Sequence, residues 1–167
     1  MKTFTPPLLL ALSIVAMPLA AQAQEVSARP VSLQAQATMP GKSGTVKLVN
    51  GNVSVVPAEG ARRALKPGDA VAVTDQVVTG PDSAASVVLR DGTTLMLGPD
   101  SQLEIKGFTY DATKQEGNVI LSMLRGTMRM ITGLIGKAHP EAVKINTPTS
   151  LIGVLGTDFI VKAEGSI

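Results

Sequence analysis

Few residues of this sequence could take part in catalysis or metal binding, and their types limit the chemistry open to the chain. It contains one histidine, His139, and no cysteine. A Ser–His–Asp arrangement needs an activated serine, and the sequence has no Gly-x-Ser-x-Gly segment. Transition-metal sites also lack their usual ligands. We therefore expect no enzyme activity, no metal and no cofactor, with His139 on a surface loop.

Four aspartates recur at intervals of about seven to nine residues, at Asp75, Asp82, Asp91 and Asp100. Each lies in or beside a Gly, Pro or Thr turn, where aspartate is favoured because it bonds to its own backbone. A calcium loop would need a dense Asp-x-Asp-x-Asp segment, which the sequence lacks. The aspartates therefore predict turns rather than a calcium ladder, and Asp91 with Gly92 is the clearest turn.

Asp91-Gly92 separates two runs of β-favouring residues, which is a strong hairpin signal. A two-residue loop would place Arg90 on the same face as apolar side chains. A three-residue loop over Arg90 to Gly92 instead pairs Val87 with Leu95 and separates the faces, with Gly92 in the left-handed conformation. The inner face then consists of Ala85, Val87, Leu89, Leu95 and Leu97. We predict the three-residue loop.

The N-terminal segment is typical of an export signal. Lys2 supplies a positive charge, a short apolar run follows, and Ala21 and Ala23 form a small-x-small cleavage site before Gln24. The apolar run is too short to span a membrane. We expect residues 1–23 to be removed as a signal peptide, leaving no transmembrane segment in the mature chain.

The mature chain is nearly neutral and almost free of aromatic residues. The full sequence has 15 Lys and Arg residues, one of which lies in the signal, and 13 Asp and Glu residues, so the mature chain carries no basic footprint for nucleic acid. Residues 24–40 are typical of a flexible leader. Residues 41–167 are then one domain, whose core must be built from Val, Leu, Ile, Met and Ala without disulfides.

From residue 41 onward, β-favouring runs alternate with Gly, Asp and Pro turns every 8 to 12 residues or so, roughly the spacing of all-β proteins. We predict a single all-β domain of short, mostly antiparallel strands and hairpins, either sandwich-like or an irregular solenoid-like stack. Its connections are predicted to be a first hairpin at Gly51-Asn52, a polar excursion over 106–117, a turn at Arg125-Gly126, a loop over 133–141 and an exposed-edge strand over 143–147.

The closing stretch over residues 152–161 is the most apolar part of the mature chain. Gly156 and Thr157 open the last predicted strand, which places Phe159 and Val161 on one face. We expect Phe159 to close the core from the C-terminal end, as a packing residue rather than a ligand contact.

A series of short motifs runs in a fixed order through nearly the whole mature chain. The motifs are Gly44-Thr-Val, Gly51-Asn-Val-Ser-Val, Leu65-Lys-Pro-Gly-Asp69, Val78-Thr-Gly80, Ser83-Ala-Ala, Leu89-Arg-Asp-Gly92, Leu95-Met-Leu97, Leu124-Arg-Gly126, Val143-Lys-Ile-Asn-Thr-Pro148 and Gly156-Thr-Asp-Phe-Ile-Val161. In this order they resemble the FecR-type domain, the periplasmic sensor domain of iron-dicitrate transport regulators. The resemblance implies an all-β, non-catalytic domain that relays signals by protein contact.

The chain also departs from those regulators. A cleavable signal stands where they carry an anti-sigma segment and a transmembrane helix, and Leu155 stands where the family commonly has Arg. We therefore expect a stand-alone exported module, periplasmic or secreted, that binds another envelope protein through residues the sequence does not identify. The alternative is a structural or cell-wall module that contacts glycan or peptidoglycan.

Overall fold

Strands dominate residues 41–165 because apolar side chains alternate along most of this range, while glycines and prolines interrupt the runs that could form long helices. A computed structural model describes residues 41–165. The predicted signal peptide, its cleavage site at Ala21, Ala23 and Gln24, and the leader over 24–40 lie outside the described residues.

The strands in chain order are β1 Lys42–Asn50, β2 Val53–Val56, β3 Arg63–Ala64, β4 Ala70–Ala72, β5 Gln76–Thr79, β6 Ala84–Leu89, β7 Thr94–Leu97, β8 Gln102–Asp111, β9 Glu116–Ile131, β10 Val143–Asn146, β11 Leu151–Gly153 and β12 Asp158–Ala163. A five-residue helix, α1 Leu134–Ala138, and a 3₁₀ turn, Pro140–Ala142, lie between β9 and β10.

The strands form one curled sheet in the order β3-β2-β5-β8-β9-β7-β6-β1-β4, with β10 and β12 on the other edge of β9 and β11 beside β10. In the described part of the chain, every pairing is antiparallel except that of β10 with β9. Buried Val, Leu, Ile, Met and Ala side chains from both halves of the sheet form a single hydrophobic cluster. The predicted all-β class of short, mostly antiparallel strands and the apolar core composition are confirmed.

Strand β9 joins the two halves of the sheet. Its first part pairs with β8 and β10, and its last part pairs with β7 and β12. The predicted turn at Arg125-Gly126 is wrong, because the strand runs on through these residues. Gly126 has a φ of +91°, and the register slips opposite Gln102 and Leu103. The positive φ therefore serves a bulge that bends one long strand rather than a turn that reverses it.

The central hairpin has the predicted register. Ala85 pairs with Leu97 and Val87 with Leu95, and the Leu89 N–H donates to the carbonyl oxygen of Thr93 at 2.8 Å. All five predicted inner-face residues are buried. The three-residue loop is therefore confirmed, because a slip of one residue would have turned one strand's apolar set outward.

The predicted first hairpin at Gly51-Asn52 is wrong. β1 pairs with β4 and β6, whereas β2 pairs with β3 and β5, so the connection carries the chain from one half of the sheet to the other. Gly51 has a φ of +75°, and the Asn52 N–H donates to Ser83 Oγ at 2.9 Å. This crossing lets Val53 and Val55 be buried in the second half of the sheet.

The predicted polar excursion over residues 106–117 is also wrong. β8 continues to Asp111 and β9 starts at Glu116, so only four residues form the turn between them. Phe108 and Tyr110 are half-buried and pack against the core. Backbone pairing and these two aromatic side chains hold the end of the hairpin, where most of the other side chains over residues 106–117 are polar.

The stretch predicted as an exposed-edge strand is interior to the sheet. β10 lies between β9 and β11, and Val143 and Ile145 are fully buried. The edge prediction is wrong because β10 pairs with β9 as well as with β11. The pairing with β9 joins residues far apart in sequence, so the alternation within β10 alone did not reveal it. The predicted loop over 133–141 contains α1 and the start of the 3₁₀ turn.

Candidate protein-docking surface

A row of side chains crosses the solvent-facing side of one half of the sheet. Ile160 of β12 pairs with Arg129 of β9, which pairs with Met96 of β7 on its other side. Met96 pairs with Ser86 of β6, and Ser86 pairs with Leu48 of β1. Directly paired residues share a face, so the five side chains lie in line across five strands, a span of about 19 Å at 4.8 Å per strand.

The apolar members of this row are exposed. Relative exposure is 53% for Leu48, 39% for Met96 and 67% for Ile160. The solvent face of an antiparallel sheet usually carries polar side chains. Single exposed apolar residues are ordinary, whereas three aligned on one sheet face, with Ser86 and Arg129 between them, make a candidate binding surface.

The apolar surface continues past β12 onto β11 and the connection that joins the two strands. Leu155 is 97% exposed and Leu151 is 67% exposed. Leu155, Phe159 and Ile160 line a shallow concavity of about 530 Å³. We call Leu48, Met96, Ile160, Leu155 and Leu151 together the outer strip.

The outer strip lies beside open strand edges. Within residues 41–165, β12 pairs only with β9 and β11 pairs only with β10. An edge strand presents backbone N–H and C=O groups that can pair with a further strand. The surface therefore offers both apolar side chains and main-chain hydrogen-bonding groups to a partner.

One ion pair lies beside the outer strip. Arg129 Nε donates to Asp158 Oδ1 at 2.9 Å, and a second guanidinium nitrogen donates to Oδ2. The hydrogen bonds from Arg129 hold the pKa of Asp158 below its usual value, and the same bonds raise the pKa of Arg129. The stabilisation from the lowered carboxyl pKa is present at neutral pH and is lost as the pH falls through that lowered pKa.

The predicted turn residues Asp91 and Gly92 lie in the loop of the central hairpin, between β6 and β7. The Asp91 side chain is 1% exposed and accepts bonds from the Thr93 N–H at 3.1 Å and the Thr93 hydroxyl at 2.7 Å. Thr93 Oγ1 accepts from the Gly133 N–H at 3.0 Å. Gly92 has a φ of +86°. Asp91 thus fixes the hairpin loop to the chain that leads into α1.

The other predicted residues lie at the start of β12. Gly156 and Thr157 are exposed in the connection before the strand, and Phe159 is half-buried against the core. The Thr157 carbonyl accepts from the Thr132 N–H at 2.9 Å. The end of β9 therefore contacts both the Asp91 turn and the Thr157 segment, which the sequence did not connect.

The outer strip was missed by the sequence reasoning. Its members lie on five separate segments, and only the pairing of distant strands aligns them. A usable signal was present at Met96 and Ile160, since each is apolar at an outward position of an alternating strand.

No group of three or more His, Cys, Asp or Glu side chains within residues 41–165 is placed to hold a metal ion. His139 is exposed, and its Nδ1 lies 3.4 Å from Glu141 Oε1. No helix in the described residues is long and apolar enough to cross a membrane.

The fold and the site define an all-β domain with an open apolar surface at its sheet edge. The family described as FecR protein matches residues 75–167, which is more than half of the chain, so the chain belongs to the FecR family. FecR proteins are regulatory, non-catalytic and associated with the cell envelope. The resemblance found in the sequence motifs is confirmed.

A solved structure described as a cell surface anchoring domain is similar to part of the chain, with 32% sequence identity and a TM-score of 0.36. The matched region covers 38% of this chain and 83% of the chain in that structure. No curated protein matches the chain.

Proposed function

We propose that this chain is an exported, non-catalytic signalling module of the bacterial envelope that binds another envelope protein through the outer strip. The proposal rests on the line of exposed apolar side chains that ends at the open edge of β12. Membership of the FecR family supports a regulatory role in the envelope.

The partner segment that best fits this surface is an extended chain. Such a segment can pair its backbone with the open edge of β12 and place alternate apolar side chains against Ile160 and Leu155. The Arg129–Asp158 pair lies in the same surface, and its charges favour a partner with polar groups between its apolar ones. Contact area and main-chain bonds would then supply affinity and side-chain spacing would supply specificity.

Replacing Met96 or Ile160 by lysine should abolish partner capture. Both side chains are exposed, so each lysine can reach water without unfolding the domain, but a bound partner would bury its charge at a cost of several kcal/mol. Capture is measured by cross-linking the purified protein in envelope extract and quantifying each captured protein against the parent chain.

Thr113→Lys is the matched control, because Thr113 is exposed in the β8–β9 turn outside the strip. The same proteins should be captured by the control as by the parent. Equal capture by Met96→Lys, Ile160→Lys and Thr113→Lys would contradict the proposal. Retention on purified peptidoglycan without a strip-dependent protein partner would instead favour the cell-wall alternative.

We also propose that the mature protein starts at Gln24 and lies in the periplasm. Signal peptidase requires small side chains at the positions that Ala21 and Ala23 occupy. Intact-mass measurement of the protein from a periplasmic fraction should give the mass of residues 24–167. A mass that still includes residues 1–23 would contradict both the cleavage and the location.

A further inference from the structure

A second concave surface lies in the other half of the sheet and contains no member of the outer strip. Its volume is about 470 Å³. Three arginines line it, Arg62 and Arg63 from the segment around β3 and Arg125 from the middle of β9, with Asp100 as the acidic lining residue. We call it the arginine pocket.

Two of these arginines are not neutralised by a carboxylate. Arg63 pairs with Asp69 at 2.9 Å. Within residues 41–165, neither Arg62 nor Arg125 lies within ion-pair distance of an acidic group. Arginine presents a planar fork of donors that matches the paired oxygens of a carboxylate or a phosphate.

The Arg62 side chain is held in place by a buried group. Its Nε donates to Ser54 Oγ at 2.8 Å, and Ser54 is only 8% exposed. This bond leaves the two terminal nitrogens of Arg62 to a ligand. A guanidinium that is already oriented loses less conformational entropy when it binds than a free surface arginine does.

The floor of the pocket is a hydrogen-bonded backbone. Thr79 is 1% exposed, and its Oγ1 accepts from the Ser101 N–H at 2.8 Å and donates to the Gly98 carbonyl at 2.6 Å. The Gly80 N–H donates to the Asn52 carbonyl at 2.8 Å, and the Asp100 N–H donates to the Gly80 carbonyl at 3.1 Å. These bonds fix the two turns that carry Pro81 and Asp100 against each other.

We infer that the arginine pocket binds an oxyanion, a phosphate or a carboxylate, carried by a small polar molecule. The pocket volume lies within the range of about 300–1,000 Å³ that is usual for small-molecule sites. Arg62 and Arg125 contact the anion, and Asn52 offers an amide at the pocket wall. This pocket and the outer strip share no residue, so the two proposals can be tested with separate variants.

The inference is tested by titrating the ¹⁵N-labelled exported protein with inorganic phosphate and, separately, with succinate. The observed signals are the Nε–H resonances of the arginine side chains. Saturable shifts are expected for Arg62 and Arg125. A response to phosphate alone assigns the site to phosphate esters, a response to succinate alone assigns it to carboxylates, and a response to both assigns it to oxyanions in general.

Arg125→Gln should weaken the affinity for the responding anion by about ten-fold or more, because a charged hydrogen-bond donor is removed. Arg125 is exposed, and retention of the parent's amide spectrum shows that the variant is folded. Arg90→Gln is the control, since Arg90 is exposed in the central hairpin loop and does not line the pocket. Absence of saturable shifts at both arginines with both anions, or equal weakening by Arg90→Gln, would overturn the inference.

Discussion

Replacing Gly126 by alanine should cost more than about 3 kcal/mol of folding stability and could prevent folding. Gly126 has a φ of +91°, and an added Cβ would lie 2.3 Å from Ser101 Oγ and 2.5 Å from Ser101 Cα. Ser101 cannot move away easily, because its hydroxyl accepts from the Thr127 N–H at 3.0 Å and its backbone bonds to Thr79. Urea unfolding of the variant and the parent measures the loss.

Gly92→Ala separates the two causes of this loss, which are the positive φ and the contact with Ser101. Gly92 also has a positive φ, +86°, but no atom lies within 4 Å of an added Cβ. The control should therefore lose only the cost of a left-handed alanine, about 1 kcal/mol. Equal losses in the two variants would show that Ser101 yields and that the contact at the bulge does not hold β9 in place.

The contact of Gly126 with Ser101 has a counterpart elsewhere in the fold. An added Cβ at Gly51 would lie 2.4 Å from Ser83 Oγ, and the Asn52 N–H donates to that hydroxyl as Thr127 does to Ser101. Both serines end a Gly-Pro-Asp-Ser segment, at 80–83 and 98–101. This repeated tetrapeptide was the sequence signal for two equivalent glycine–serine contacts in the sheet.

The central hairpin could be predicted because all of its information is local. Asp91-Gly92 sets the loop, and the register is the one that gathers Val87 and Leu95 with the other inner-face residues on one apolar face. The connections at Gly51 and Gly126 could not be predicted in this way. A glycine with positive φ serves a turn or a bulge equally well, and the choice depends on whether the flanking strand finds pairing partners elsewhere.

The same reasoning explains why the outer strip was not found. Leu48 and Met96 are aligned because β6 pairs with both of their strands, β1 and β7. Ile160 is aligned with Met96 because β9 pairs with both β12 and β7. Strand alternation indicates which way a side chain points, but not which strand lies beside it. A surface made from five segments therefore needs the strand order before it can be recognised.

Leu95→Ala and Met96→Ala, neighbours on one strand, should have opposite consequences. Leu95 is fully buried in the core, so its truncation leaves a cavity and should cost roughly 2–5 kcal/mol. Met96 points to the other face and is 39% exposed, so its truncation should change stability by less than about 1 kcal/mol. Thermal and urea unfolding of the two variants measure both values.

The effects on partner capture should be reversed, with Met96→Ala weakening capture and Leu95→Ala leaving it unchanged. At a temperature where Leu95→Ala is still folded, its outer strip is intact and it should capture the partner as the parent chain does. Met96→Ala removes an apolar contact at the centre of the strip and should weaken capture while leaving the melting temperature nearly unchanged. If Met96→Ala instead destabilises the domain as much as Leu95→Ala, both faces of β7 are covered in the folded chain. The outer strip would then be an internal packing surface, because a side chain that reaches water loses little stability when it is truncated.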